Sequence, residues 1–175
     1  MGTIDRWTIG RAERRRPTGL RRGGRFRSFT RMPPPIDPAL VGRVFDETEF
    51  GPVAACELIE FAAALGEVAP CYATPGPELR AHPTFCVKFR GRKGFPEDFP
   101  AHLLGRMSFD AGKDVALGEP IRPGDTIRVV SSVHDIYEKT GRTGTMTFVV
   151  VRFAITNQRG EHVATIDNRL MYRPT

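Results

Sequence analysis

The hydrophobic pattern changes period once along the chain. From Val53 to Leu65 only Glu57 and Glu60 interrupt a run of apolar residues. The segment Pro52–Leu65 therefore predicts a helix with Pro52 at its first turn, where a missing N–H costs nothing. Nearly every face is apolar, so a central helix wrapped by other structure is expected. Gly66 supplies the left-handed residue that ends it, and Pro70 is expected to keep it from restarting.

Beyond Arg106 the period becomes two. Arg106–Val115 opens the strand-rich region, and the segment from Pro120 to Asp125 reads as a turn. In Thr126–Ile136, Ile127, Val129 and Val133 fall on one face and Arg128, Ser132 and His134 on the other, the pattern of a half-buried strand. Lys139–Gly144 closes a hairpin. Thr145–Thr156 is β-branched and apolar on both faces in its middle, which predicts a strand covered on both sides. Val163–Tyr172 returns as the last strand. A short strand around Arg43–Glu47 precedes the helix, while Ala73–Arg80 and Gly91–Pro100 read as Pro/Gly-rich loops. One helix followed by long antiparallel strands is an α+β arrangement with the sheet wrapped around the helix.

Composition adds a division of charge. The 175 residues carry a net +6, yet residues 1–32 hold ten Arg against Asp5 and Glu13, leaving the remainder mildly acidic. Two parts are expected: a basic, disordered leader over 1–32 and a single domain over 33–175. For the leader we expect upstream sequence preceding a true start at Met32. An organelle transit peptide and an RNA-binding arm are the functional alternatives, and nucleic acid is not an expected partner. Cys56, Cys71 and Cys86 have neither paired nor metal-type spacing, so no metal site is expected and a reducing cytoplasm is the expected compartment. No run approaches eighteen apolar residues, so no membrane span is expected.

The segment Gly66-Glu-Val-Ala-Pro-Cys-Tyr72 after the apolar helix resembles the Gly-Asp-x-Asn-Pro-x-His motif of MaoC-like dehydratases, the (R)-specific enoyl-thioester hydratases with the hot-dog fold. Ala81-His-Pro-Thr-Phe85 is similar to that family's Ala-Pro-Pro-Thr-Phe segment, and Arg122-Pro-Gly-Asp125 to its lead-in to a strand. Asp135–Gly144 matches a further family segment. Together these look most like the N-terminal-half (FAS1-like dehydratase) type, which pairs with a catalytic half.

The resemblance implies a hot-dog fold and hydration of a trans-2-enoyl thioester, or the reverse dehydration. It gives Glu67 and Tyr72 the positions of the catalytic Asp and His, and Pro70, Pro83, Thr84 and Phe85 positions beside the thioester. The pair is altered. Glu67 adds a methylene, and displacement by about 1 Å can cost roughly 10²-fold in rate. Tyr72 replaces an imidazole by a phenol whose ordinary pKa of about 10 suits proton exchange poorly at neutral pH. The expected role is the substrate-binding, non-catalytic half of a heteromeric hydratase of fatty acid metabolism, taking an acyl-CoA or acyl carrier protein thioester. Its partner is a second hot-dog subunit in a hetero- or homodimer. The alternative is a self-sufficient hydratase, or a thioesterase using Glu57, Glu60 or Glu67. No cofactor is implied. His82, at the family's first Pro, is taken as a surface or packing residue, and Cys71 as an inert thiol. Ala54, Ala55, Ala62, Ala63 and Ala64 leave either room for an acyl chain or tight helix packing.

Overall fold

A computed structural model describes residues 36–104, 108–142 and 144–173. The basic leader and its boundary lie outside them. In chain order the described elements are a 3-10 turn at Pro38–Leu40, β1 (Val44–Phe50), α1 (Ala55–Ala64), α2 (Pro70–Ala73), a 3-10 helix at Pro83–Lys88, α3 (Ala101–Leu104), β2 (Ser108–Leu117), β3 (Ile127–Gly141), β4 (Gly144–Asn157) and β5 (His162–Tyr172). The strands form an antiparallel sheet in the order β1-β3-β4-β5-β2. This is the hot-dog arrangement.

β4 is the middle strand, as its two apolar faces predict. Its inward residues Val149, Val151 and Ile155 join Ile127, Val129 and Val133 of β3 in the core, each contributing about 1.5–3 kcal/mol by leaving water. Outward, Tyr137 and Phe148 stack with ring centroids 5.0 Å apart. On that face the Arg152 guanidinium forks onto Asp167 through two 2.7 Å hydrogen bonds, which hold the Asp167 carboxyl below its ordinary range. β3 carries a bulge between Val133 and Asp135 and stays paired to Gly141, past the alternating stretch read from sequence.

The helix departs from expectation in length and burial. Val53 donates its N–H to the Asp125 carbonyl at 2.9 Å, and its own carbonyl accepts from the Gly124 N–H at 2.8 Å. Pro52 and Val53 are thereby drawn out of the helix, which begins at Ala55. Nor is α1 wrapped on nearly every face. Leu58 and Ala62 are buried and Ala55, Ile59 and Phe61 half-buried, whereas Cys56, Glu57, Glu60, Ala63 and Ala64 are exposed. A single sheet covers one side of a helix, and the small residues of the other side need no cover.

Asp125 explains the Arg122–Asp125 turn. The buried carboxylate accepts from Arg122 N at 2.8 Å, Gln158 Nε2 at 2.9 Å and Arg159 Nη1 at 3.2 Å. It thus ties the start of β3 to the β4–β5 turn. The loop before β2 is anchored by Phe95 stacked on buried Phe99 at 4.2 Å. No helix among the described residues is long and apolar enough to cross a membrane.

Candidate functional site

The site begins at the end of α1. Gly66, at φ 72°, gives its N–H to Ala63 O, and Glu67 gives its own to Ala62 O; this paired closure is a Schellman motif, which only a residue tolerant of positive φ completes without strain. It sets Glu67 just past the helix. One carboxylate oxygen, Oε1, then accepts from the N–H groups of Val68 and Ala69, both at 2.8 Å. The Ala69 and Val68 amides, with a smaller contribution from His82, hold the carboxyl below the usual glutamate range. The chain does restart as a helix at Pro70, contrary to the sequence reading. Proline is well suited to a first helical position, and the four residues of α2 form the next turn.

α2 carries Tyr72 into a cleft of about 100 Å³. One wall holds Tyr72, Arg80, His82 and Pro83; the other holds Leu117, Gly118, Glu119 and Val163. Two backbone bonds fix the first wall: Arg80 N to Cys71 O at 2.9 Å and Ala81 N to Ile121 O at 2.8 Å. Within the second wall Gly118 packs directly against the start of β5, with its N–H on the Val163 carbonyl at 2.8 Å. A Cβ there would lie 2.2 Å from the His162 carbonyl oxygen.

Tyr72 is held by two neighbours. The His82 ring meets it edge-on at 5.4 Å, and the Arg80 guanidinium lies 5.6 Å from its ring centre. Arg80 Nη2 also reaches Cys71 Sγ at 3.7 Å. The Tyr72 side chain, foremost, and Cys71 push the guanidinium pKa up, so it is charged throughout the working range. His82 caps the 3-10 helix. Its Nδ1 lies 2.8 Å from Thr84 Oγ1 and 3.4 Å from the Thr84 nitrogen, whose N–H it accepts as the helix cap.

The residues expected at the site are only partly brought together. Tyr72 and Pro83 line the cleft, Thr84 is exposed beside His82, and Pro70 is exposed at the start of α2. Phe85 is buried in the core, edge-on to Phe61 at 5.1 Å and to Phe89 at 5.6 Å. Glu67 is not among the lining residues. Glu57 pairs with Lys88 at 3.4 Å, and Glu60 is exposed on the open side of α1. His82 is half-exposed, caps the 3-10 helix and lines the cleft. Arg80 was missed by sequence reasoning, though a charged residue between buried Leu79 and Ala81 is a signal that it faces a cavity or solvent.

The cleft opens at the end of β2, a ten-residue strand paired on one side by β5 and at the outer edge of the sheet. Phe109, Val115 and Leu117 are exposed along it, Leu117 at 55%.

Known proteins share this architecture. The structure of a MaoC-like dehydratase from Rhodospirillum rubrum matches with a TM-score of 0.54 at 23% identity, over 77% of this chain and 94% of that one. The C-terminally truncated HadBC (3R-hydroxyacyl-ACP dehydratase) complex from Mycobacterium tuberculosis matches with a TM-score of 0.55 at 26% identity, over 75% and 96%. The ChsH1-ChsH2 complex from the same organism matches with a TM-score of 0.56 at 16% identity, over 77% and 85%. In sequence, a UPF0336 protein from Saccharopolyspora erythraea is 29% identical over 150 residues, 81% of this chain and 94% of its own length. The family model described as FAS1-like, dehydratase domain region matches residues 39–166, and the chain belongs to that family.

Proposed function

We propose that this chain is the substrate-binding, non-catalytic half of a heteromeric enoyl-thioester hydratase/dehydratase. A second hot-dog subunit supplies the Asp and His. The reaction adds water across a C2=C3 double bond, hydroxyl to C3 and proton to C2, or reverses it, on an acyl-CoA or acyl carrier protein thioester. It needs a carboxylate free to hold water and a group that exchanges a proton near neutral pH.

The observation that carries this reading is the commitment of Glu67. Its Oε1 accepts two backbone N–H bonds in its own turn and it stands outside the cleft that Tyr72 lines. Tyr72 lines the cleft beside Arg80 and His82, which supports a ligand-contacting role in this reading. The exposed edge of β2 beside the cleft is where a second sheet would join. Two of the similar structures are two-protein complexes, one of them a 3R-hydroxyacyl-ACP dehydratase.

The test is hydration of short and long trans-2-enoyl-CoA by the chain alone and with a MaoC-like subunit bearing an intact Gly-Asp-x-Asn-Pro-x-His motif. No turnover alone and turnover in the mixture is the expected result. Turnover by the chain alone at the mixture's rate would overturn the assignment.

A further inference from the structure

Arg80 stands apart from the other cleft residues. Arg43, Arg128, Arg152, Arg159 and Arg169 each form an ion pair with a carboxylate. Arg80 has no carboxylate within 4.0 Å among the described residues, and Glu119, which lines the same cleft, does not pair with it. What it touches is the face of Tyr72 and the thiol of Cys71, a weak acceptor at 3.7 Å. A guanidinium presents five N–H donors in a planar fork, matched to the two oxygens of a carboxylate or phosphate.

The placement is also enforced. Leu79 and Ala81 on either side are buried, and the backbone is bonded to Cys71 on one side and Ile121 on the other, so the side chain projects from a fixed point into an otherwise largely apolar cleft. The Tyr72 side chain and the Cys71 thiol beside it limit its rotamers. Less ordering entropy is then lost when a ligand binds.

We propose that Arg80 is the anion-recognition residue of the cleft, gripping an oxyanion carried by the thioester ligand. This rests on the thioester-binding reading and names the ligand chemistry the cleft selects. The oxyanion has two possible sources, a carboxylate on the acyl group or a phosphate of the carrier arm, and the ligands below separate them.

Calorimetric titration of the full chain with crotonyl-CoA, glutaconyl-CoA, crotonyl-pantetheine and glutaconyl-pantetheine, for wild type, Arg80→Ala and Arg80→Lys, tests the proposal. A phosphate source predicts that Arg80→Ala weakens both CoA esters about tenfold or more and leaves crotonyl-pantetheine unchanged. An acyl carboxylate predicts the same loss for the two glutaconyl ligands only. In either case Arg80→Lys retains part of the affinity, and wild-type binding weakens with added salt. Equal weakening of all four ligands, including the uncharged crotonyl-pantetheine, would reduce Arg80 to a packing residue and overturn the proposal, as would no weakening. If the wild type binds none of the four, the thioester reading itself fails and the proposal with it.

Discussion

Glu67 is held in its own turn by two backbone amides. Its folded-state carboxyl is held below the ordinary value by the Ala69 and Val68 amides. A depressed carboxyl contributes stability that is present above the unfolded-state value and lost as pH falls through the folded one. Glu67→Gln is therefore expected to lower the unfolding temperature at neutral pH and to differ little from wild type at about pH 2. Thermal unfolding followed by circular dichroism at the two pH values checks this; a difference of the same size at both would mean that the anion is not what holds the turn. The sequence makes this position legible as a family site, because Gly66 and Pro70 frame it. It does not show that both local amides point at the carboxylate, since that depends on the backbone path after the helix. Likewise Tyr72 is visible as a substitution, but its contacts with Arg80 and His82 come from a segment eight to ten residues further on.

At the level of elements, the strands follow the sequence closely because a period of two leaves little choice of face. Ile127, Val129 and Val133 are buried and Arg128 and His134 exposed, as their alternation predicts. The helix is less legible. A run apolar all round is consistent with burial on every side, but alanine contributes little to that pressure, and Ala63 and Ala64 lie exposed opposite Leu58 and Ala62. Two substitutions separate the faces. Leu58→Ala, at a position only 1% exposed, is expected to cost about 2–5 kcal/mol, whereas Leu65→Ala, at 53% exposure just beyond the helix, is expected to stay within about 0.5 kcal/mol. Urea unfolding of both variants gives the comparison. Similar losses at the two positions would contradict the one-sided burial of α1 in the isolated chain.

On the scale of the molecule, the order β1-β3-β4-β5-β2 leaves a long strand at one edge with apolar side chains exposed along it. Long exposed edges favour pairing with another chain unless they are blunted, and here the edge runs up to the cleft. The antiparallel sheet and its helix follow from the sequence pattern, and the family follows from the order of its short motifs. The cleft does not, because its walls come from α2, the segment around Arg80–Pro83, the end of β2 and the start of β5, which only the folded topology brings together. The proposed division of labour between two subunits rests on this edge and the cleft beside it. The most direct test is the kcat of the reconstituted pair for a trans-2-enoyl-CoA, with Glu67→Ala in this chain compared with Asp→Asn in the partner's motif. The expected kcat is within about threefold of wild type for Glu67→Ala, against a loss of about 10²–10⁴ for the partner's substitution; a loss of that size from Glu67→Ala instead would make this chain the catalytic half.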